Sequence, residues 1–162
     1  MNLKEFSLEQ KTALNEELMS KSKFPKIFSI ISTIFILIAS LLPPSHAIQV
    51  RNFPLADKGE HMSAYAVLGF FLFLSFADLI ISKKLLENKD FKINWIKAPF
   101  FQTLLFGVPL GVIIEIIQIF VGRTFDIFDM LADTIGLAVG CTFAILIMQL
   151  FINSIIKKIK SK

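Results

Sequence analysis

The sequence predicts an all-α, polytopic membrane protein: a four-helix transmembrane bundle with both termini cytoplasmic. Three observations predict it. The chain is 54% hydrophobic over 162 residues, with a mean hydropathy of +0.67, more apolar than ordinary soluble domains. Four windows, at roughly 24–42, 61–82, 98–120 and 130–156, each supply the length that a spanning helix needs, about 20 mostly apolar residues. They are too long for strands, and helices satisfy their own backbone in lipid. Lysine and arginine also alternate between the segments that separate these windows, 5, 2, 5, 1 and 4 in chain order. By the positive-inside rule, both ends and the middle loop face the cytoplasm, and the first and third loops face outward.

Residues 1–23 form a cytoplasmic N-terminal segment, and 24–160 form the four-helix domain. Within the first segment, Ser7-Leu8-Glu9-Gln10 has the spacing of a capping box, followed by mixed charge with Ala13, Leu14 and Leu18 at helical spacing. This reads as a short solvated or membrane-surface helix with no catalytic motif. The first window ends at Pro43-Pro44. Ser45-His46-Ala47 looks like a signal-peptidase site, but the preceding polar segment contains Glu5, Glu9, Glu16 and Glu17, which do not suit a leader, so these prolines are read as a helix exit.

The second helix runs inward and carries Asp57, Lys58, His61 and Tyr65 at its outer end, with 57, 61 and 65 on one face. Asp78, near Lys83 and Lys84, reads as an interfacial charge at the cytoplasmic end. The middle loop, with Lys89 and Lys92, is basic and short. Its lysines are orientation determinants or contacts to anionic lipid, and nucleic-acid binding is not expected. The third helix runs outward. Between Phe100 and Gly122 its one charge is Glu115, three residues before Gln118. A charge at bilayer depth costs on the order of 2.5–3.5 kcal/mol, so this carboxylate is expected to face protein or water rather than lipid. Pro109 removes the bond to the Leu105 carbonyl and favours a kink.

The third loop supplies Arg123, Asp126 and Asp129, and Asp133 begins the fourth helix. Gly136-x-x-x-Gly140 favours close helix approach, which in membranes replaces a hydrophobic driving force. The single Cys141 lies in this window, which excludes an intrachain disulfide and zinc–thiolate chemistry, and it reads as a small packing residue.

The polar residues thus converge at one depth near the outer surface. Six carboxylates (Asp57, Glu60, Glu115, Asp126, Asp129, Asp133) face three fixed cations (Arg51, Lys58, Arg123). If the site is catalytic, Glu115 and His61 are the acid–base pair, and Asp129 orients His61 or holds a divalent cation. Asp57, Glu115, Asp126 and Asp129 offer the oxygens for one. Pairing of Glu115 with Arg123 or His61 is the structural alternative.

Asp57-Lys58-x-x-His61-x-x-x-Tyr65 and Glu115-x-x-Gln118-x-x-x-x-Arg123-x-x-x-x-x-Asp129, continuing to Gly136-x-x-x-Gly140, resemble the VanZ-like family of bacterial integral membrane proteins. One position departs: Asp133 stands where the family usually has Asn. The resemblance implies a multi-pass protein of the bacterial cytoplasmic (inner) membrane, linked to the cell envelope and antibiotic resistance. Its founding member is associated with low-level resistance to teicoplanin, a lipid-bearing glycopeptide that acts on outer-face cell-wall precursors. The partners expected are therefore the lipid bilayer and a lipid-linked envelope precursor or a lipoglycopeptide, recognised or modified at the outer face. A non-catalytic accessory role, in which the cluster holds helices or contacts a partner, is the alternative. The sequence leaves the oligomeric state open.

Overall fold

The computed structural model describes residues 7–10, 12, 16, 23–41, 56–86 and 96–160. The described residues contain four long helices, α1 (Lys23–Leu41), α2 (Ala56–Leu86), α3 (Lys97–Phe120) and α4 (Ile127–Lys160), and no strand. All four are long and apolar enough to cross a membrane. At the N-terminal side the capping box forms: the Ser7 N–H donates to Gln10 Oε1 at 3.1 Å and the Gln10 N–H to Ser7 Oγ at 3.2 Å. The Ser45-His46-Ala47 segment, Arg51 and the middle-loop Lys89 and Lys92 lie outside the described residues.

Two helix starts fall earlier than the apolar windows suggest. Helix α2 begins at Ala56, so Asp57 and Lys58 are helical, and α4 begins at Ile127, so Asp129 is in its first turn rather than in the loop. In both cases an acidic residue in the first turn suits the positive end of the helix dipole. Helix α3 is continuous through Pro109, and Pro99 sits within its first turn, where a missing N–H costs nothing.

The most extensive packing is between α2 and α4, and glycine makes it. A β-carbon at Gly136 would collide with the Met62 carbonyl oxygen, and one at Gly140 with the Ala66 carbonyl oxygen; at Gly69 it would come within 2.6 Å of the Leu137 carbonyl oxygen. These are backbone atoms that cannot move aside, so only glycine permits this approach. The glycines of α3 serve the same helix differently, with Gly107 facing the Leu137 side chain and Gly111 facing Asp133.

Around this contact the core has two parts. Ile36, Tyr65, Leu68, Ile114 and Leu137 unite all four helices, while Phe73 and Ala77 of α2 pack on Cys141, Ala144, Met148 and Ile152 of α4. Cys141 is fully buried, with its thiol 3.8 Å from the Gly69 carbonyl, in keeping with a packing role. Outward, α1, α3 and α4 expose Phe35, Phe101, Leu105, Phe106, Phe143 and Leu150. Such a surface is costly in water and neutral against acyl chains. Asp78, read from the sequence as an interfacial charge, has its side chain turned into the bundle. It is buried and paired with Lys26 of α1 at 3.5 Å.

Candidate functional site

Helix α3 ends in a Schellman motif that sets one wall of the site. The Arg123 N–H bonds to the Gln118 carbonyl at 3.0 Å and the Gly122 N–H to the Ile119 carbonyl at 3.3 Å, with Gly122 at φ 82°. That left-handed conformation is the one glycine adopts freely. The chain then reverses and α4 starts on Asp126, whose Oδ1 accepts the Phe128 N–H at 2.8 Å, a helix N-cap. Asp129 and Asp133 follow one turn apart and point back toward α2.

Asp126 joins three elements at once. Besides capping α4, its Oδ2 receives the Lys58 ammonium at 2.5 Å, and its backbone N–H donates to Glu115 Oε2 at 3.1 Å. The Lys58 ammonium beside it, with the Phe128 N–H, holds the Asp126 carboxyl below the usual carboxylate range. Lys58 also pairs with Asp129 Oδ1 and lies 3.5 Å from Asp57 Oδ2. It therefore draws together three carboxylates from α2, the loop and α4.

One turn deeper, His61 Nδ1 meets Asp133 Oδ1 at 3.0 Å, and Nε2 stands 3.9 Å from Asp129 Oδ2. Asp133, rather than Asp129, orients the imidazole, because the 3.9 Å separation exceeds hydrogen-bond range. Asp133, the departure from the family pattern, is thus the direct partner of His61. Below lies Tyr65, whose buried hydroxyl borders Asp133 without hydrogen-bond geometry. Gly111 forms the wall there: a β-carbon would come within 2.9 Å of Asp133 Oδ2 and 3.4 Å of Tyr65 Oη. Glu115 is fully buried, and its Oε1 has no hydrogen-bond partner.

Of the residues singled out by sequence, Asp57, Lys58, His61, Tyr65, Glu115, Asp126, Asp129 and Asp133 come together. Arg123 and Gln118 do not join them. Both donate to the Ser40 carbonyl at the end of α1, at 3.3 and 3.2 Å, and so fasten α1 to the end of α3. Glu115 takes a backbone N–H where a side-chain cation was expected. Neither backbone partner has a side-chain signature, so spacing does not reveal them. Asp57, His61 and Asp129 each offer a ligand atom within 4.8 Å of the others, a grouping that can hold a metal ion, whereas Glu115 and Asp126 fall outside it.

Four spanning helices with charged residues gathered at one end define a small multi-pass membrane protein with a polar site set into its bundle. The VanZ/LLP1 family model matches residues 6–149, and the chain belongs to that family. No curated protein and no solved structure matches it.

Proposed function

We propose that this cluster is a ligand site facing outward from a bacterial cytoplasmic membrane, and that it recognises or modifies the polar head of a lipid-linked or amphipathic envelope molecule of the glycopeptide type, linking the protein to antibiotic tolerance. The observation that carries this reading is Glu115. Glu115 is fully buried near the end of α3, where an unpaired charge is costly, yet only one of its oxygens is hydrogen-bonded and, among the described residues, no side-chain cation is bonded to it. The remaining oxygen is available to a donor group of a ligand. Exposed Phe120, Phe125, Ile127 and Phe128 lie beside the polar residues. That juxtaposition suits a molecule with a charged head and an apolar tail. The outward orientation rests on the distribution of basic residues.

If the ligand is changed chemically, His61 is the acid–base group, held by Asp133 in one ring orientation, with Glu115 and Asp129 on its other sides. The experiment separates the outcomes. Protein in lipid is incubated with envelope lipids and lipid-bearing glycopeptides and analysed by mass spectrometry. A new product supports catalysis and retention of the intact molecule supports recognition; neither overturns the ligand reading. A single cysteine at Thr124, in a Cys141→Ser background, is expected to label from outside intact cells, and protection there would reverse the orientation.

An accessory role has one observation in its favour: Gln118 and Arg123 spend their donors on the Ser40 carbonyl and act as helix ties. These two residues are assigned to the scaffold.

A further inference from the structure

We propose that Asp57, His61 and Asp129 bind one divalent transition-metal ion, with Asp133 as the group that orients the imidazole. His61 Nε2 and Asp129 Oδ2, at 3.9 Å, are too far apart to hydrogen-bond. They are within the span of about 4 Å that two bonds of about 2.0–2.2 Å to a common ion can cover. Asp57 completes the set, all three ligand atoms lying within 4.8 Å of one another. Its side chain is half exposed and lies 3.5 Å from the Lys58 ammonium, and a turn at the rim away from that contact closes the remaining distance.

The carboxylate that would hold the imidazole behind such an ion is already in contact with it. In the neutral ring, the bond to Asp133 at 3.0 Å puts the proton on Nδ1 and turns the Nε2 lone pair toward Asp129. A carboxylate behind a ligating histidine is the usual device for fixing its tautomer. Asp129 divides its oxygens, Oδ1 to Lys58 and Oδ2 toward His61 Nε2. A second observation lies beside these three residues, outside their grouping. Glu115 is fully buried, has an unpartnered Oε1, and has Asp129, His61 and Asp133 as its neighbouring titratable groups. Lys58 and His61 do not balance the acids gathered here.

One imidazole with two carboxylates suits Zn²⁺ or Mn²⁺ better than Ca²⁺ or Mg²⁺, which take oxygen ligands. Lys58 tunes the site, because its ammonium shares Asp129 with the ion and repels it. An ion held here polarises a phosphoryl or carbonyl oxygen of a bound molecule; that consequence alone rests on the ligand reading above.

The test needs only the metal. Full-length protein in detergent, freed of any affinity tag and stripped with chelator, is titrated with Co²⁺ and followed by visible absorption. The expected result is saturation at one ion per chain, displaced by Zn²⁺ and resisted by excess Mg²⁺. Asp133→Asn is expected to weaken binding by about 10–100-fold, as loss of the carboxylate behind a ligating histidine does, while Lys58→Met tightens it. His61→Gln abolishes the signal. Should that variant fail to fold, Asp57→Asn decides, since its half-exposed side chain lies at the rim, and weaker binding is expected. No saturable signal in the wild type, equal competition by Mg²⁺, or unchanged binding in Asp57→Asn would overturn the proposal.

Discussion

The two ends of the bundle bury carboxylates in different company. At one end Asp78 of α2 is met by Lys26 of α1 at 3.5 Å, and that lysine is 40% exposed, so its head reaches water while its stem lies along the helices. At the other end Lys58 and His61 are set among Asp57, Asp126, Asp129, Asp133 and Glu115. Burial does not separate the two, since Asp78 and Asp129 are 7% and 6% exposed. The balance of charge does. An acid that fastens helices needs one base across from it, whereas the polar end still holds surplus acid after Lys58 and His61 have found partners. The nearby cation that could have balanced it, Arg123, is turned with Gln118 to a backbone carbonyl instead.

The largest expected effect breaks both ends together. Gly140→Ala sets a methyl against the Ala66 carbonyl oxygen, and α2 and α4 must part. Overpacking of this kind costs about 1–3 kcal/mol, and more where backbone is the obstacle. Thermal unfolding in detergent is expected to fall accordingly, with ligand retention lost in proportion to folded protein.

A paired substitution sharpens the contrast. Asp129→Asn removes the charge that Lys58 and His61 face, and the loss of a charged hydrogen bond costs about 1–3 kcal/mol. Asp78→Asn is expected to cost less, because Lys26 can turn to water. The readouts also differ. Ligand retention should fall further than folded abundance in Asp129→Asn and only in step with it in Asp78→Asn. Matching behaviour of the two variants would erase the distinction between the ends.

Much of this architecture was legible from residue spacing, and the parts that were not have a common cause. The four spans, the shared face of Asp57, His61 and Tyr65, and the close approach at Gly136 and Gly140 all follow from periodicity and residue size. The start of α4 was misplaced because hydropathy begins only after Asp129, although Asp126 is itself a strong N-cap residue. Pairing of Glu115 with Arg123 or His61, the structural alternative, rested on opposite charge. The actual partners of Arg123 and Glu115, the Ser40 carbonyl and the Asp126 N–H, are backbone groups that every residue carries and that sequence cannot single out. Asp133 stood out as a departure from the family pattern, but its contact with His61 depends on how α2 lies against α4.

The most direct test of the central claim, that the polar end is a working site rather than a lock, is Glu115→Gln. The amide keeps the shape and an acceptor for the Asp126 N–H while removing the charge. Folded abundance and ligand retention are measured on the same lipid-reconstituted samples. The account predicts near-normal abundance with retention lost; normal retention at normal abundance would contradict it, as would a loss of retention that only follows the loss of folded protein.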